Sequence, residues 1–384
     1  MIELEDIFTS EKNKNRDFQK KLDSNNTLLG FNNGIFDLKT FEFRKGHQDD
    51  YISMTVGYDY QPNHTENYQE LLSFLENIQP NNEEREYMLT YLSIALIGNE
   101  LELFTILTGT GRNGKSKLIE LLGLVFGDYY NPVASTLFTR PRPDANAPDP
   151  GLLNLSNKKL VISSEPEKNQ KLNTGFIKFI TGRDSTSLRN CHSNDIVKFS
   201  PKFITLFTCN DIPDCDNIDE AFSKRLRCIN FPTEFVNNPV KDHQRKINQK
   251  INMHFSNWKI DFILLLIQYY KKYTITQTLE PTINILKWTN EYKKENSCFE
   301  SFFEDNLENV NEESIDNENE TYVLFSDVIN KFNIWHKNKF GSSTPIPSKI
   351  ILSKKIQTIL GKKFERIWKD GKNINVIKQL KFCE

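Results

Sequence analysis

The feature that most constrains this sequence is a glycine-rich loop between a short apolar run and an amphipathic helix. The loop is Gly109-Thr110-Gly111-Arg112-Asn113-Gly114-Lys115-Ser116, which matches the pattern GxxxxGK[ST]. Residues 104–107 before it predict a buried strand, and Lys115–Phe126 has the apolar spacing of a helix. Such a loop between a strand and a helix predicts a phosphate-binding site.

Each residue type in this loop has a role in binding phosphate. Glycines permit the backbone turns that point successive N–H groups at phosphate oxygens, and the helix N-terminus adds a partial positive charge. We expect Lys115 to reach the β- and γ-phosphates and the Ser116 hydroxyl to bind Mg²⁺. The loop therefore predicts a site for ATP and Mg²⁺.

Two further predicted strands end in polar side chains that suit the same chemistry. Residues 159–162 form a predicted strand shortly before Glu165, and residues 203–207 form another shortly before Asn210. A phosphate-binding loop needs an acid on a neighbouring strand to hold Mg²⁺ or activate water, and Glu165 is the candidate. Asn210 is a candidate for orienting the water and sensing the γ-phosphate. The alternatives are an ordinary surface glutamate and a turn-forming asparagine.

An arginine pair precedes the next predicted strand, residues 228–231. Within Lys224-Arg225-Leu226-Arg227, the Arg225 guanidinium is a candidate for stabilising charge on the ATP of a neighbouring subunit. Taken alone this signal is weak, since two arginines beside a strand are common.

The segment between the Glu165 and Asn210 strands is rich in basic and polar residues. Residues 187–189 and 196–199 predict a hairpin with a polar tip. Side chains of this kind on a loop suit DNA phosphates, although a solvated hairpin fits equally well. The candidates for DNA contact are Lys178, Arg183, Arg189 and His192.

Strands that alternate with helices predict a three-layer α/β domain with a largely parallel sheet. Residues 331–384 hold thirteen Lys or Arg against three acids, and they predict helices followed by a hairpin. A basic winged-helix domain that contacts DNA fits this pattern, and a Lys-rich surface is the alternative.

The chain is predicted to divide into five segments. They are an irregular N-terminus (1–26), a small collar (27–100), the ATPase domain with trailing helices (101–295), an acidic linker (296–322) and the winged-helix-like domain (323–384).

Composition narrows the function classes only a little. The formal net charge of -2 gives no pointer to nucleic acid, and the six cysteines form no CxxC pair, which favours reduced structural thiols over zinc sites. The longest apolar run, near residues 262–267, is too short to span a bilayer. No secretory leader is visible, so a soluble intracellular protein is expected.

In their order along the chain, these motifs resemble those of superfamily 3 DNA helicases, specifically the poxvirus-type primase-helicase branch of large DNA viruses, phages and plasmids. The resemblance rests on the blocks GTGRNGKS, ITGRD, TCNDIP and KRLRCINFP. The upstream block FNNGIFDL resembles the helicase-associated N-terminal domain of that branch. The basic tail resembles its C-terminal winged helix, so the resemblance covers roughly residues 27–384.

The resemblance implies a hexameric ring of AAA+-like domains that hydrolyses ATP between subunits and moves along DNA during viral or mobile-element replication. It implies that Lys115 and Ser116 bind phosphate and Mg²⁺, that Glu165 serves the acidic motif, that Asn210 is the polar sensor and that Arg225 acts on the neighbouring subunit. The four candidates for DNA contact fall in the segment that usually lines the pore.

Two departures from the family pattern affect these assignments. Many members have two adjacent acids in the second motif, whereas Ser164 precedes Glu165 here. Lys224 stands where an arginine is common, which leaves Arg225 and Arg227 as alternatives for the residue acting in trans.

Larger members carry an N-terminal primase, so a stand-alone helicase or a fragment is expected, with primase or polymerase as partner. The other function classes considered are a DNA loader or packaging ATPase and a non-enzymatic remnant.

Overall fold

The structure is a computed structural model that describes residues 18, 21–98, 101–163, 170–191, 196–210, 212–215, 218–295, 298–310, 322–341, 346–369 and 371–383. The chain divides into two compact units, Met1–Thr289 and Asn290–Glu384. Over the described residues, no helix has both the length and the apolar character needed to cross a membrane. All six cysteines are free thiols.

The first unit begins with a small antiparallel sheet followed by two helices. The elements are β1 (Leu28–Phe31), β2 (Gly34–Asp37), β3 (Glu42–Arg44), α1 (Tyr68–Ile78) and α2 (Asn82–Ile94). Strands β1 and β2 pair antiparallel, with Asn32 and Asn33 in the turn between Phe31 and Gly34. The side chain of Asn81 accepts a hydrogen bond from the N–H of Glu84 and so caps α2.

A five-stranded parallel sheet forms the centre of the first unit. The five strands of this sheet are β4 (Phe104–Thr108), β5 (Tyr130–Val133), β6 (Leu160–Ser163), β9 (Ile204–Thr208) and β10 (Leu226–Asn230). Two further strands, β7 (Thr186–Arg189) and β8 (Ile196–Phe199), lie between β6 and β9 in the chain. The sheet has the order β10-β4-β9-β6-β5, and β7 and β8 form a separate hairpin. Because all neighbours are parallel, the carboxyl ends of the five strands lie along one edge.

Helices cover this sheet and extend the unit beyond it. They are α3 (Lys115–Phe126), α4 (Thr136–Thr139), α5 (Pro150–Leu153), α6 (Thr174–Thr181), α7 (Glu220–Arg225), α8 (Phe255–Thr276) and the first part of α9 (Ile283–Glu295), which continues past the boundary at Thr289. A short parallel pair, β11 (Glu234–Val236) and β12 (Gln244–Lys246), lies between α7 and α8 in the chain. Every residue of β4, β6 and β9 is buried, as expected for a parallel sheet covered on both faces.

The collar residues 27–100 pack into the same unit as the parallel sheet. Helix α8 contacts both α2 and α3, and one apolar core runs through all three helices. Hydrogen bonds add to this packing: the Tyr58 hydroxyl donates to the carbonyl of Val125 at 2.8 Å, and the Tyr129 hydroxyl donates to that of Met54 at 2.8 Å. The collar therefore supports the sheet from the side of α3.

The second unit is a small mixed unit with its own apolar core. Its elements are α10 (Cys298–Asn306), β13 (Leu307–Asn309), β14 (Tyr322–Leu324), α11 (Phe325–Phe340), α12 (Lys349–Ile359), β15 (Phe364–Lys369), β16 (Lys372–Lys378) and β17 (Leu380–Phe382). The antiparallel sheet has the order β14-β16-β15, and β13 pairs with β17. The core lies between α10, α11 and α12 and this sheet, around Phe302, Phe332 and Ile356.

The acidic stretch 296–322 is expected to be a linker, but its described part forms α10 and β13. Three phenylalanines explain the difference, because they give an otherwise acidic segment one apolar face. Phe302 is fully buried, and its ring lies edge-on to Phe332 with the centroids 5.1 Å apart. Burying one such ring contributes about 2 kcal/mol, so the three rings together favour packing of this helix on the core.

Candidate nucleotide-binding site

The glycine loop joins the end of β4 to the start of α3 at the carboxyl edge of the sheet. Gly109, Gly111 and Gly114 have φ values of +142°, +83° and +87°. A Cβ on Gly109 would lie 2.6 Å from the carbonyl oxygen of Phe231, and a Cβ on Gly114 would clash with the side chain of Ile78. The curve of the loop therefore requires glycine at both of these positions.

Lys115 turns back over the loop to which it belongs, and only 6% of the residue is exposed. Its Nζ donates hydrogen bonds to the carbonyl oxygen of Gly109 at 3.0 Å and to Oδ1 of Asn113 at 3.1 Å, and it lies 3.5 Å from Oδ1 of Asn210. These three acceptors are neutral. A phosphate is a stronger acceptor for an ammonium group, so it can replace them.

Asn113 and the end of β10 brace the loop from the other side. Asn113 is 2% exposed, and its Nδ2 lies 3.5 Å from the carbonyl oxygen of Phe231. The N–H of Phe231 donates to the carbonyl oxygen of Thr108 at 2.8 Å, which continues the β4–β10 ladder by one residue. The loop is thus fixed to the sheet at the point where the phosphates are expected to bind.

Asn210 lies two residues beyond the end of β9, the strand next to β4, and its side chain is exposed at the carboxyl edge. The Thr108 hydroxyl donates to its main-chain oxygen at 3.0 Å, which fixes the backbone there. The structure therefore brings Asn210 together with Lys115, as the sequence predicts. Thr110, Arg112 and Ser116 are also exposed around the loop and the first turn of α3.

The candidate acid Glu165 lies outside the described residues. It follows the last residue of β6, Ser163, by two positions. Strand β6 is the neighbour of β9, and the two run parallel. The carboxyl end of β6 is therefore on the same edge as the glycine loop, with β9 between them.

Arg225 lies where the parallel strands begin, at the end of the sheet opposite to the glycine loop. It is the last residue of α7 and precedes Leu226, which is paired with Phe104 at the start of β4. The glycine loop follows the end of β4, so a strand of five residues, about 17 Å long, separates Arg225 from the Lys115 of its own chain. Arg225 cannot reach the nucleotide site of its own subunit.

The Arg225 guanidinium forms an ion pair with Glu102. Nη2 lies 2.7 Å from Oε2 of Glu102, and Nη1 donates to the carbonyl oxygen of Ala221 at 3.1 Å. Glu102 has a left-handed backbone with φ of +52°. Arg225 and Glu102 line an open surface hollow of about 500 Å³. Arg227, the alternative candidate, donates to the carbonyl oxygens of Lys224 and Leu226.

The hairpin predicted between the Glu165 and Asn210 strands is confirmed as β7 and β8. Arg189 is paired with Ile196 at its outer end, and Nε of Arg189 donates to the carbonyl oxygen of Asn146 at 3.1 Å. Ile196 is 59% exposed, so the outer end projects into solvent. His192 at the tip lies outside the described residues.

The other two candidates for DNA contact lie on and just after α6. Arg183 is exposed, whereas the Lys178 ammonium forms an ion pair with Asp219, the N-cap of α7. Although burial acts to raise it, the pKa of Asp219 is lowered by hydrogen bonds from the Lys178 side chain and the N–H of Phe222. A DNA phosphate would have to compete with this carboxylate for Lys178.

Three residues near these groups are not identified from the sequence. Glu102, Asp219 and Phe231 are partners of Arg225, Lys178 and the glycine loop, respectively. Only Asp219 has a recognisable local pattern, since an aspartate before Glu220–Arg225 is a typical helix cap. The pairing of the other two depends on strand order.

The chain is similar to proteins of large DNA viruses. Residues 6–80 match the family described as D5 N terminal like. A protein of Acanthamoeba polyphaga mimivirus, provisionally named a helicase, is 33% identical over 85% of this chain and 35% of its own length. Primase D5 of Fowlpox virus is 28% identical over 67% of this chain and 34% of its own length.

The chain belongs to the D5-type primase-helicase family. The chain spans about a third of the length of these D5-type relatives. Among solved structures, the C-terminal region of NrS-1 is 15% identical, with a TM-score of 0.45 over 83% of this chain and 79% of that one.

Proposed function

We propose that this chain is an ATP-dependent DNA helicase that hydrolyses ATP at the subunit interfaces of a hexameric ring during viral genome replication. The observation that carries the proposal is the division of one set of ATPase residues between two edges of the sheet. Lys115 and Asn210 meet at the carboxyl edge, whereas Arg225 lies at the amino edge of the same sheet. A second subunit is needed to complete such a site.

The loop fits the triphosphate of ATP and an associated Mg²⁺. Gly111 has open space around its Cβ position, with nothing nearer than Oδ1 of Asn210 at 3.8 Å, so a phosphate can approach its backbone closely. Lys115 is anchored on neutral oxygens that a phosphate can replace. Ser116 offers an exposed hydroxyl in the first turn of α3, and Glu165 offers a carboxylate two residues beyond β6. Mg²⁺ neutralises charge on the β- and γ-phosphates.

Each residue has one task in the proposed hydrolysis. Lys115 holds the β- and γ-phosphates, and Glu165 takes a proton from the attacking water, which Asn210 orients. Arg225 of the adjacent subunit stabilises the negative charge that develops on the γ-phosphate. Because Arg225 lines an open hollow, a neighbouring loop can approach it from outside the subunit.

The proposed ring has AAA+-like domains. Support comes from the sheet order β10-β4-β9-β6-β5, with the loop after β4 and Arg225 directly before β10. Heterologous contacts between the two edges of successive subunits close into a ring if the rotation permits. We propose six subunits because superfamily 3 helicases, which the motifs resemble, form hexamers.

DNA contacts are proposed for the β7–β8 hairpin and for the second unit. Arg183, Arg189 and His192 supply the first, and Lys178 contributes once it is released from Asp219. The second unit is proposed to be a winged helix, supported by the order α10, β14, α11, α12, β15, β16 and the sheet order β14-β16-β15. Its basic residues suit the DNA backbone.

A DNA loader or packaging ATPase is the second candidate. It shares the nucleotide site, so only unwinding separates the two. The helicase is favoured by the names of the mimivirus and poxvirus relatives, which refer to helicase and primase. Primase or polymerase partners are proposed on the same basis.

The test is ATP hydrolysis and strand displacement on forked DNA, in wild type and in Lys115→Ala. We expect both activities to fall at least about 100-fold, as when a main transition-state contact is lost. Lys117→Ala is the matched control, because Lys117 lies two residues along the same helix and pairs with Glu120 at 2.8 Å. Unwinding that survives in Lys115→Ala contradicts the proposal, and hydrolysis without unwinding in wild type favours the loader.

A further inference from the structure

The hairpin β15–β16 of the second unit carries a tryptophan in solvent. Trp368 lies on β15 and is 71% exposed, although an indole is among the side chains that gain most from burial. Lys369 and Lys372 form the last pair before the turn, so Trp368 is paired with Asn373 one position further in. An aromatic ring this exposed near a hairpin end marks a contact surface.

The residues around Trp368 on the same side of the hairpin are polar. Side chains two apart on a strand share a face, as do residues directly opposite on the partner strand. The Trp368 face therefore consists of Arg366, Trp368, Asn373 and Asn375, and all four are exposed. At the base of the hairpin the same face turns inward, since Phe364 packs edge-on against Phe325.

The charge around this face is positive. No hydrogen bond or ion pair engages the Arg366 guanidinium within the described part of the second unit, so it is available to an anion. Arg366 is the charged residue of this face, while Lys363 and Lys372 are exposed at the two ends of the hairpin, Lys372 on the side opposite Trp368. One acid, Glu365, lies on the opposite side of β15 and pairs with Lys378 at 3.0 Å.

We propose that the Trp368 face binds unpaired bases of single-stranded DNA. Trp368 stacks on a base, Arg366 binds an adjacent phosphate, and the amides of Asn373 and Asn375 form hydrogen bonds with base edges. This inference rests on the proposed function for the DNA class, and it assigns a site outside the nucleotide site and the β7–β8 hairpin. Stacking contributes about 1–3 kcal/mol per base in such sites and tolerates any base.

Single-stranded DNA suits this face better than a duplex or a protein. Within a duplex both faces of each base are covered by neighbouring pairs, so an aromatic side chain has no ring to stack on. A protein partner would favour a contiguous apolar patch, whereas Trp368 is bordered by an arginine and two amides. A single ring, a free guanidinium and amide groups together match a base, its phosphate and its edges.

The experiment measures binding of the full chain to fluorescent oligo(dT) and to a blunt duplex by anisotropy, as a function of salt. We expect Trp368→Ala to weaken oligo(dT) binding about tenfold, with most of the affinity retained in Trp368→Phe and little change for the duplex. Arg366→Ala should lower the salt slope by about one, whereas Trp368→Ala should leave it unchanged. Ile334→Ala is the control, because Ile334 is 63% exposed on α11 of the same unit.

Two outcomes overturn the inference. One is unchanged oligo(dT) affinity in Trp368→Ala, which would leave the face to a protein partner. The other is an equal loss for oligo(dT) and duplex, which would make Trp368 a general contact without stacking. The Lys115→Ala assay tests the nucleotide site separately, so failure of the Trp368 face and failure of the proposed function give different results.

Discussion

At the scale of single residues, Lys159 has the most unusual environment in the first unit. It is 5% exposed at the start of β6, and its Nζ donates to the carbonyl oxygens of Asn26 at 2.7 Å and Leu96 at 2.6 Å. Burial, together with a smaller effect of the nearby Lys202 charge, lowers the pKa of Lys159 to about 7. A neutral amine has two N–H groups, and the two carbonyls accept both. Lys159 thus joins the collar to the sheet.

The buried amine predicts a pH dependence of stability. Between about pH 7 and pH 10.5 the unfolded chain binds a proton at Lys159 that the folded chain does not. The free energy of unfolding should therefore rise with pH through this window, by at most about 1.4 kcal/mol per pH unit. The measurement is urea unfolding from pH 7 to pH 9 for wild type and Lys159→Met, and the slope should disappear in the variant.

Lys158→Met is the matched control for this prediction. Lys158 is the preceding residue, and its ammonium donates to the carbonyl oxygen of Asp128 from a less buried position. Its removal should leave the pH slope as in wild type. Equal slopes in wild type and Lys159→Met would show that the amine stays charged in the folded protein.

At the scale of elements, the β7–β8 hairpin is proposed to convert hydrolysis into movement along DNA. Replacing Arg189 and His192 by alanine should reduce unwinding of forked DNA about tenfold, since two polar contacts with DNA are removed. ATP hydrolysis should change less than twofold because neither residue lies at the glycine loop. Parallel assays of strand displacement and phosphate release measure this uncoupling.

The control removes the same two residue types from another surface. Arg44 and His47 lie on and after β3 in the collar, away from the hairpin, and both are well exposed. Arg44→Ala with His47→Ala should unwind DNA as wild type does. Full unwinding by the Arg189 and His192 double variant would exclude the hairpin from the mechanism.

The sequence predicts most elements of the first unit because their signals are local. The glycine loop, the helix Lys115–Phe126 and the buried strands on either side each carry their own pattern. Strand β5 is not predicted, because it contains Pro132. A proline is tolerated there since β5 is the outermost strand of the sheet. Helix α10 is not predicted, because its acidic composition is typical of a linker. Its three phenylalanines pack into the core of the second unit.

The candidate site is only partly predictable for a related reason. Lys115 and Asn210 can be identified because each follows a buried strand, and parallel strands bring their ends together. Glu102 cannot be identified as the partner of Arg225, since the two are 123 positions apart in the sequence and only the pairing of β4 with β10 joins them. Side-chain pairing depends on sheet order, which no local pattern contains.

At the scale of the whole molecule, the separation of Lys115 and Arg225 predicts complementation between subunits. Lys115→Ala and Arg225→Ala should each abolish ATP hydrolysis when alone. In an equal mixture, an interface is complete when an intact Lys115 meets an intact Arg225, so about a quarter of the wild-type activity should return. Steady-state hydrolysis as a function of mixing ratio measures this effect.

The pair Lys115→Ala and Ser116→Ala is the control for mixing, because both changes lie on the same side of the interface. That mixture should stay inactive. A mixture of Arg227→Ala with Lys115→Ala tests Arg227 as the residue that acts in trans. Arg227 already donates hydrogen bonds to carbonyl oxygens of its own chain, which favours Arg225 for that role. Substantial hydrolysis by Arg225→Ala alone would contradict a role for Arg225 in trans.

The ion pair between Arg225 and Glu102 has a consequence for how such a ring would cycle. A guanidinium that waited in solvent for a neighbour would bind the first anion available, including ADP or inorganic phosphate. With Glu102 already in place, every anion must displace a carboxylate from the guanidinium. Glu102 therefore keeps the Arg225 charge paired while no neighbour is bound, so subunits can separate after a turnover without leaving a bare charge behind.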